Sequence, residues 1–336
     1  MKRLLAAALA LFLCTGCGAS NGGVRNLRVG ICLYRQDDTF ISLMAEDMQR
    51  AAKAIEQEKN VRLTLTFRDA QYSQTLQNEQ ASAFLEKGYD VLLVNVVDRT
   101  AAASLIDKAK SANTPIILFN REPVEEDLRR YDNAYYVGAD AAESGTLEGK
   151  LLSDQYAADP ASLDRNGDGR LQYVMLEGDQ GHQDSVIRTE YVIKQLTEAG
   201  IKTDKLATGI ANWQRVQAST KMALWLEQYG DRIEAVIANN DDMALGALDA
   251  LDAAGITHGP AVVGIDGTPA GLEAVTARRM LGTVYNDAAG QSRNVIRLAY
   301  ALAQNEGVDR FTLRDGKYLM SPYTIVTPIN VSQYTP

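Results

Sequence analysis

Residues 164–188 read DRNGDGRLQYVMLEGDQGHQDSVIR. Side-chain oxygens at Asp164, Asn166, Asp168 and Gln172 take loop positions 1, 3, 5 and 9 of the pattern that wraps a hard cation such as Ca2+. Gly169 allows the sharp turn at position 6, and Arg170 at position 7 need supply only its carbonyl. The pattern breaks at position 12. A bidentate carboxylate is due there and Met175 stands in its place, so a complete metal site needs a carboxylate from elsewhere in the chain. The plainer reading is an Asp/Asn/Gly turn before a strand. Tyr173 to Leu176 is an apolar run with the look of a buried strand, and a glycine-bearing turn after it delivers His182, Asp184 and Arg188.

Outward from this stretch, strands and helices alternate. Leu27–Tyr34, Val61–Phe67, Val91–Val94 and Pro115–Phe119 read as strands, separated by helical patterns from Thr39, over Gln74–Leu85 and over Ala101–Ala109. The same order returns in strands at Leu171–Leu176, Lys205–Ile210, Ala235–Ala238 and Ala261–Ile265. Val29 to Asn95 and Tyr173 to Asn239 span equal separations, and Val91–Asn95 with Pro115–Asn120 resembles Ala235–Asn240 with Ala261–Asp266. The expected fold is α/β: two similar doubly wound parallel-sheet lobes, related by duplication or, as the alternative, by convergence. Gly282 to Pro336 is too short for a third lobe. The chain must therefore return to the first lobe and cross back, making a three-segment hinge. The expected division is 27–119 with 284–320, and 120–283 with 321–336.

The chain has 336 residues, enough for two domains with real cores. Its net charge of −9 and lack of a basic run argue against nucleic acid as a partner. Met1-Lys2-Arg3 followed by apolar Leu4–Leu13 reads as a signal segment. Its end, Cys14-Thr15-Gly16-Cys17, resembles a bacterial lipoprotein signal, with Cys14 a departure where Leu is usual. That resemblance implies removal of residues 1–16, lipid on Cys17, a tether over 17–26 and an extracytoplasmic, membrane-anchored protein; a plain secretory signal is the alternative. Cys32 is then the one cysteine left in the folded part, so no internal disulfide forms. A monomer is expected.

In open α/β sheets ligands bind beyond the carboxyl ends of the strands. Asp38, Phe40, Asn95, His182, Asp184, Arg188, Asn240 and Asp266 fall there, with Asn286 after the run Gly282–Tyr285 and Trp213 after a second-lobe strand. Amides and carboxylates suit a neutral polyol, Arg188 adds a rigid donor fork, and Phe40 and Trp213 are placed to cover the two C–H faces of a sugar ring. Singly, Asp38 reads equally well as a helix cap, Asn95 and Asn240 as turn residues and Trp213 as core. The weight lies in their convergence.

The sequence resembles the periplasmic glucose/galactose-binding proteins of ABC transport systems over nearly all of its mature length. Tyr34–Phe40, Val94–Asp98, Tyr135–Gly138, Glu143–Gly145, the Asp164–Gln172 loop, Gly181–Asp184 with Arg188, Tyr191–Lys194, Val236–Asp241 and Gly282–Asp287 carry the likeness. It implies that Asp38, Asn95, His182, Asp184, Arg188, Asn240, Asp266 and Asn286 hydrogen-bond D-galactose or D-glucose, with Phe40 and Trp213 stacking on the ring. It implies that Asp38 tolerates both epimers at the fourth carbon, and that Glu234 supplies the missing ligand of a structural Ca2+. Gln183 stands where Pro is usual, and Asn212 also departs from the family. The implied activity is capture of the hexose by lobe closure and delivery to ABC permease subunits, with no catalysis. Two alternatives share parts of this reading: a sensor subunit presenting sugar to a chemoreceptor or kinase, and a glycoside-processing enzyme using Asp38 with Asp184 or Asp266.

Overall fold

A computed structural model describes residues 25–335. The signal segment, Cys17 and most of the expected tether lie outside the described residues. The first half runs β1 (Asn26–Leu33), α1 (Thr39–Lys59), β2 (Arg62–Asp69), α2 (Gln74–Glu86), β3 (Val91–Val94), α3 (Ala102–Ser111), β4 (Ile116–Phe119), α4 (Glu125–Leu128) and β5 (Ala134–Ala139). The second runs α5 (Ala141–Ala158), β6 (Leu171–Glu177), α6 (Gln183–Glu198), β7 (Thr203–Ile210), α7 (Arg215–Tyr229), β8 (Ala235–Ala238), α8 (Asp241–Ala253), β9 (Ala261–Asp266), α9 (Pro269–Thr276) and β10 (Gly282–Asn286). Then follow α10 (Ala288–Ala303), β11 (Tyr318–Ser321) and β12 (Tyr323–Val326).

Two six-stranded sheets result, ordered β11-β5-β4-β3-β1-β2 and β12-β10-β9-β8-β6-β7. All pairings are parallel except β10 with β12. Their central registers match: Val29 pairs with Val91 in the first sheet, and Tyr173 with Ala235 in the second, at the same spacing. This is the expected fold class of two similar α/β lobes. Strand periodicity feeds two cores per lobe. On β1, Leu27, Val29, Ile31 and Leu33 enter one core while Cys32 faces the other. On β6, Val174 and Leu176 face one way and Tyr173 and Met175 the other. Helix α1 buries Phe40, Ile41, Met44, Met48, Ala51, Ala52 and Ile55, and is capped by Asp38, whose Oδ1 accepts from the Ile41 amide at 3.0 Å.

The lobe boundaries differ from the expected ones. Residues 120–139, assigned to the second lobe, carry β5, which pairs with β4 in the first sheet. Residues 284–286, assigned to the first lobe, belong to β10, which pairs with β9 in the second. The crossings fall at Asp140, Asp287 and Ser321–Tyr323, where β11 and β12 divide between the sheets. The matched strand pairs 91–95/115–120 and 235–240/261–266 suggested that each lobe ended with them. In fact each sheet adds a further strand beyond that pair, and an edge strand completes it from the C-terminal segment.

Candidate functional site

The strands of both sheets end on a narrow cleft with a cavity volume of about 30 Å3, well below the usual range for ligand sites. Seven of the ten expected residues line it: Asp38, Phe40, His182, Arg188, Trp213, Asn240 and Asp266. A larger groove of about 770 Å3 runs between α1 and α9, walled by Leu43, Leu272, Ala277, Tyr285 and Ala288. The buried ionisable groups instead converge on the smaller cleft, which is the candidate site.

Arg188 is the most constrained side chain there. Its Nε donates to Ser144 Oγ (3.2 Å), Nη1 to the Asn239 carbonyl (2.8 Å), and Nη2 to Asp184 Oδ2 (3.2 Å) and Tyr323 Oη (3.1 Å). One N–H of its five remains for a ligand. His182 is 6% exposed, and among the described residues neither ring nitrogen has a hydrogen-bond partner. Burial, reinforced by Arg121, Arg188 and Arg99, holds its pKa well below the usual imidazole range. A neutral ring offers a cleft ligand one donor and one acceptor. Its edge meets the Trp213 ring at 5.4 Å between centroids.

Backbone strain aims several of these groups. Asn212 and Trp213 have φ of 51° and 64°, turning the indole back over Gly178. A Cβ on Gly178 would lie 2.2 Å from that ring, so only glycine admits it. Asp266 has φ of 124° at the end of β9, the kind of outlier held at ligand sites. Burial pushes its carboxyl well above the ordinary range, against the attraction of Arg188.

Three expected residues stand behind the wall. Asn95 is fully buried; its Nδ2 donates to the Phe119 carbonyl and Asn120 Oδ1, both at 3.1 Å, and its Oδ1 accepts from the Tyr34 amide at 3.5 Å. Asn239 does the same in the second lobe, accepting from the Gly178 amide at 3.1 Å over the same 61-residue separation. Asp184 pairs with Arg188, and Asn286 donates to Asp266 at 3.4 Å while accepting from Gln291 at 2.5 Å. All three orient lining residues in this structure.

Sequence reasoning missed Tyr34, Asn120 and Arg121, which also line the cleft. Asn120 had a signal: it ends β4 as Asp266 ends β9, and it too has positive φ (61°). Arg121 had none. Its guanidinium lies 3.9 Å from the Tyr34 ring centre, donates to the Val97 carbonyl at 2.9 Å and pairs with Asp179 of the second lobe at 3.2 Å. Gln183 Nε2 donates to Glu122 Oε2 (2.6 Å), and Thr39 Oγ1 to Asp242 Oδ2 (2.5 Å), so the lobes touch on both sides of the cleft.

At the other end of β6, Glu234 reaches the Asp164–Gln172 loop. It is 1% exposed; Oε1 accepts from the amides of Arg165 (2.7 Å) and Asn166 (3.2 Å), and Oε2 from that of Gln172 (3.0 Å). Gly167 and Gly169 take φ of 71° and 77°. Asp164 Oδ1 and Oδ2 accept from the Asp168 and Gly169 amides, and Asn166 Nδ2 donates to Asp168 Oδ2 and Gln172 Oε1. Among the described residues no three His, Cys, Asp or Glu side chains converge as a metal-binding group. The donor set is nevertheless all oxygen, with a buried carboxylate beneath the loop, which fits the chemistry of a hard cation.

Comparison with known proteins agrees with this architecture. The chain is 38% identical over 313 residues, 91% of each chain, to the D-galactose/methyl-galactoside binding periplasmic protein MglB of Haemophilus influenzae. It is 30% identical to a xylitol-binding protein of Mycolicibacterium smegmatis, over 88% of this chain and 78% of that one. An ABC transporter solute binding protein from Bacillus halodurans, solved with bound myo-inositol, superposes with a TM-score of 0.78 at 29% identity, over 93% of this chain and 98% of that one. A periplasmic binding protein domain model matches residues 29–307. The chain belongs to the periplasmic binding protein family.

Proposed function

We propose that this protein captures D-galactose or D-glucose between its lobes and hands it to ABC permease subunits. The observation that carries this reading is the cleft: an aromatic side chain from each lobe, Phe40 and Trp213, with His182, Arg188, Asn240 and Asp266 offering hydrogen-bonding groups between them. The 38% identity to a galactose-binding relative favours hexose over the polyols named for other relatives. Asp38 accepts from Ile41 and Tyr34, and a carboxylate has further lone pairs for a sugar hydroxyl in either orientation at the fourth carbon. Contacts from both lobes exist together only when the cleft is closed, so ligand shifts the open–closed population. Capture and release without turnover is the proposed activity.

Ca2+ is proposed at Asp164, Asn166, Asp168, Gln172, the Arg170 carbonyl and Glu234, as a structural ion remote from the sugar. Lipidation at Cys17 is proposed to hold the protein at the membrane; mass spectrometry of the cell-derived protein tests it, and an unmodified N-terminus would exclude it. Calorimetric titration with D-galactose, D-glucose and D-ribose tests the function. Binding of either hexose with ribose silent is expected; no heat with either hexose overturns the proposal.

A further inference from the structure

Beneath the cleft, α5 packs on α6 through glycine. A Cβ on Gly145 would lie 2.7 Å from the Arg188 carbonyl oxygen and 2.9 Å from its Cα. Ser144 beside it receives the Arg188 Nε–H. One turn further along α5 is Glu148, fully buried, with neither carboxyl oxygen partnered among the described residues. Nothing in the hexose site described above uses it.

The charges around Glu148 do not balance. Arg188 faces it from α6 and Asp241 from α8. Around the same guanidinium lie Asp184 on α6, Asp266 at the end of β9 and the Tyr323 hydroxyl of β12. Arg99 and Arg121 act on Asp184 from the first lobe. Arg188, Arg99 and Arg121 are fewer than the four buried carboxylates Glu148, Asp184, Asp241 and Asp266, so some of these carry protons. The donors decide which. Asp184 has the Arg188 ion pair. Asp241 accepts from Thr283 Oγ1 (2.6 Å), the Thr268 amide (2.8 Å) and Thr268 Oγ1 (3.3 Å). Asp266 has Asn286. Neither Glu148 oxygen meets hydrogen-bond geometry among the described residues, the Ala238 amide acting on it only weakly, and burial raises its pKa well above the usual carboxylate range.

We propose that Glu148 is a positioning residue of the hexose site: its carboxyl must hold a proton for Arg188 to present its free N–H to the cleft, so sugar binding is linked to that proton. This rests on the hexose reading above. Ionised, Glu148 is a second anion competing with Asp184 and draws the guanidinium toward α5. Neutral, it leaves Arg188 with Asp184 and the ligand. The acid is neutral at low pH and loses its proton as pH rises through its raised pKa, so affinity is highest in acid and falls as the solution becomes alkaline.

The test is calorimetric binding of D-galactose to the mature protein between pH 6 and pH 9. Wild type is expected to lose roughly ten-fold in affinity across that range, as one linked proton permits. Glu148→Gln, an uncharged isostere, is expected to retain the low-pH affinity throughout. Titrations in two buffers of different ionisation enthalpy add a readout that needs no variant: proton uptake accompanies binding near the midpoint. A constant wild-type affinity without proton uptake, or a Glu148→Gln slope equal to wild type, overturns the inference and leaves the hexose reading standing. No hexose binding at any pH overturns the hexose reading and the inference with it.

Discussion

The two lobes share a topology but divide the polar work unequally. Among the described residues, the buried charged side chains of the first lobe come down to Arg121, whereas the second lobe holds Glu148, Asp179, Asp184, Arg188, Glu234, Asp241 and Asp266, with the buried His182. First-lobe polar groups at the cleft are largely satisfied at home: Asp38 caps α1, and Asn95 ties three strand ends together. Among the described residues, the second lobe leaves His182 and one Arg188 N–H without hydrogen-bond partners, and the first lobe leaves Arg121 Nη2. Duplicated folds thus need not make duplicated halves of a site. The first lobe supplies a wall with few buried charges, Arg121 among them, and the second stores most of the electrostatics that a ligand completes.

This division predicts where mutations and conditions act. The largest effect belongs to Arg188. Arg188→Ala strands buried Asp184 without its partner and should cost about 3–5 kcal/mol of stability, besides abolishing hexose binding. Urea denaturation measures the first, and a loss below about 1 kcal/mol would mean that water reaches the second lobe's charges. Calcium comes next. A chelator should lower the melting temperature, the ion being worth about 2.7 kcal/mol at a concentration 100 times its Kd. The loss should be confined to the second lobe and vanish in Glu234→Gln; hydrogen exchange reports which lobe loosens.

Between the stacking residues, Trp213→Ala is expected to weaken galactose binding by roughly 1–2 kcal/mol. An unchanged Kd would return Trp213 to core packing against Gly178. The smallest effect is a pH dependence of folding. Burial raises the Asp241 carboxyl to about 7, against hydrogen bonds from Thr283 and Thr268. A raised acid favours folding most when protonated, so this contribution is full in acid and is lost as pH rises through about 7. Asp241→Asn should flatten the stability profile there. An identical profile in the variant would show that the buried site keeps Asp241 charged.

Much of this was legible in one dimension. The Asp164–Arg188 stretch showed a turn, a strand and a ligand-bearing helix start, and β6 and α6 form there. The repeated strand order showed two lobes. Less legible was which strand-end amides face the cleft. Asn95 and Asn240 both fall among the expected ligand groups, although the equal spans Val29–Asn95 and Tyr173–Asn239 already match Asn95 to Asn239; in the structure these two brace the backbone after the first strand of their lobe. A one-residue shift at a strand end exchanges a lining side chain for a buried one, because successive side chains point to opposite faces.

By itself, then, the sequence determined the elements, the parallel sheets and the residue types at the strand ends, because periodicity, caps and turn residues act locally. The tertiary structure alone decided the lobe boundaries, since β5 and β10 could be assigned only by the neighbours they pair with. It also decided that Arg121 crosses to Asp179 and that Glu148 comes to lie by Arg188, residues from segments whose meeting no local pattern encodes. Burial, and with it the protonation of a carboxyl, is a property of the packed interior, and it exists only once distant segments have excluded water together.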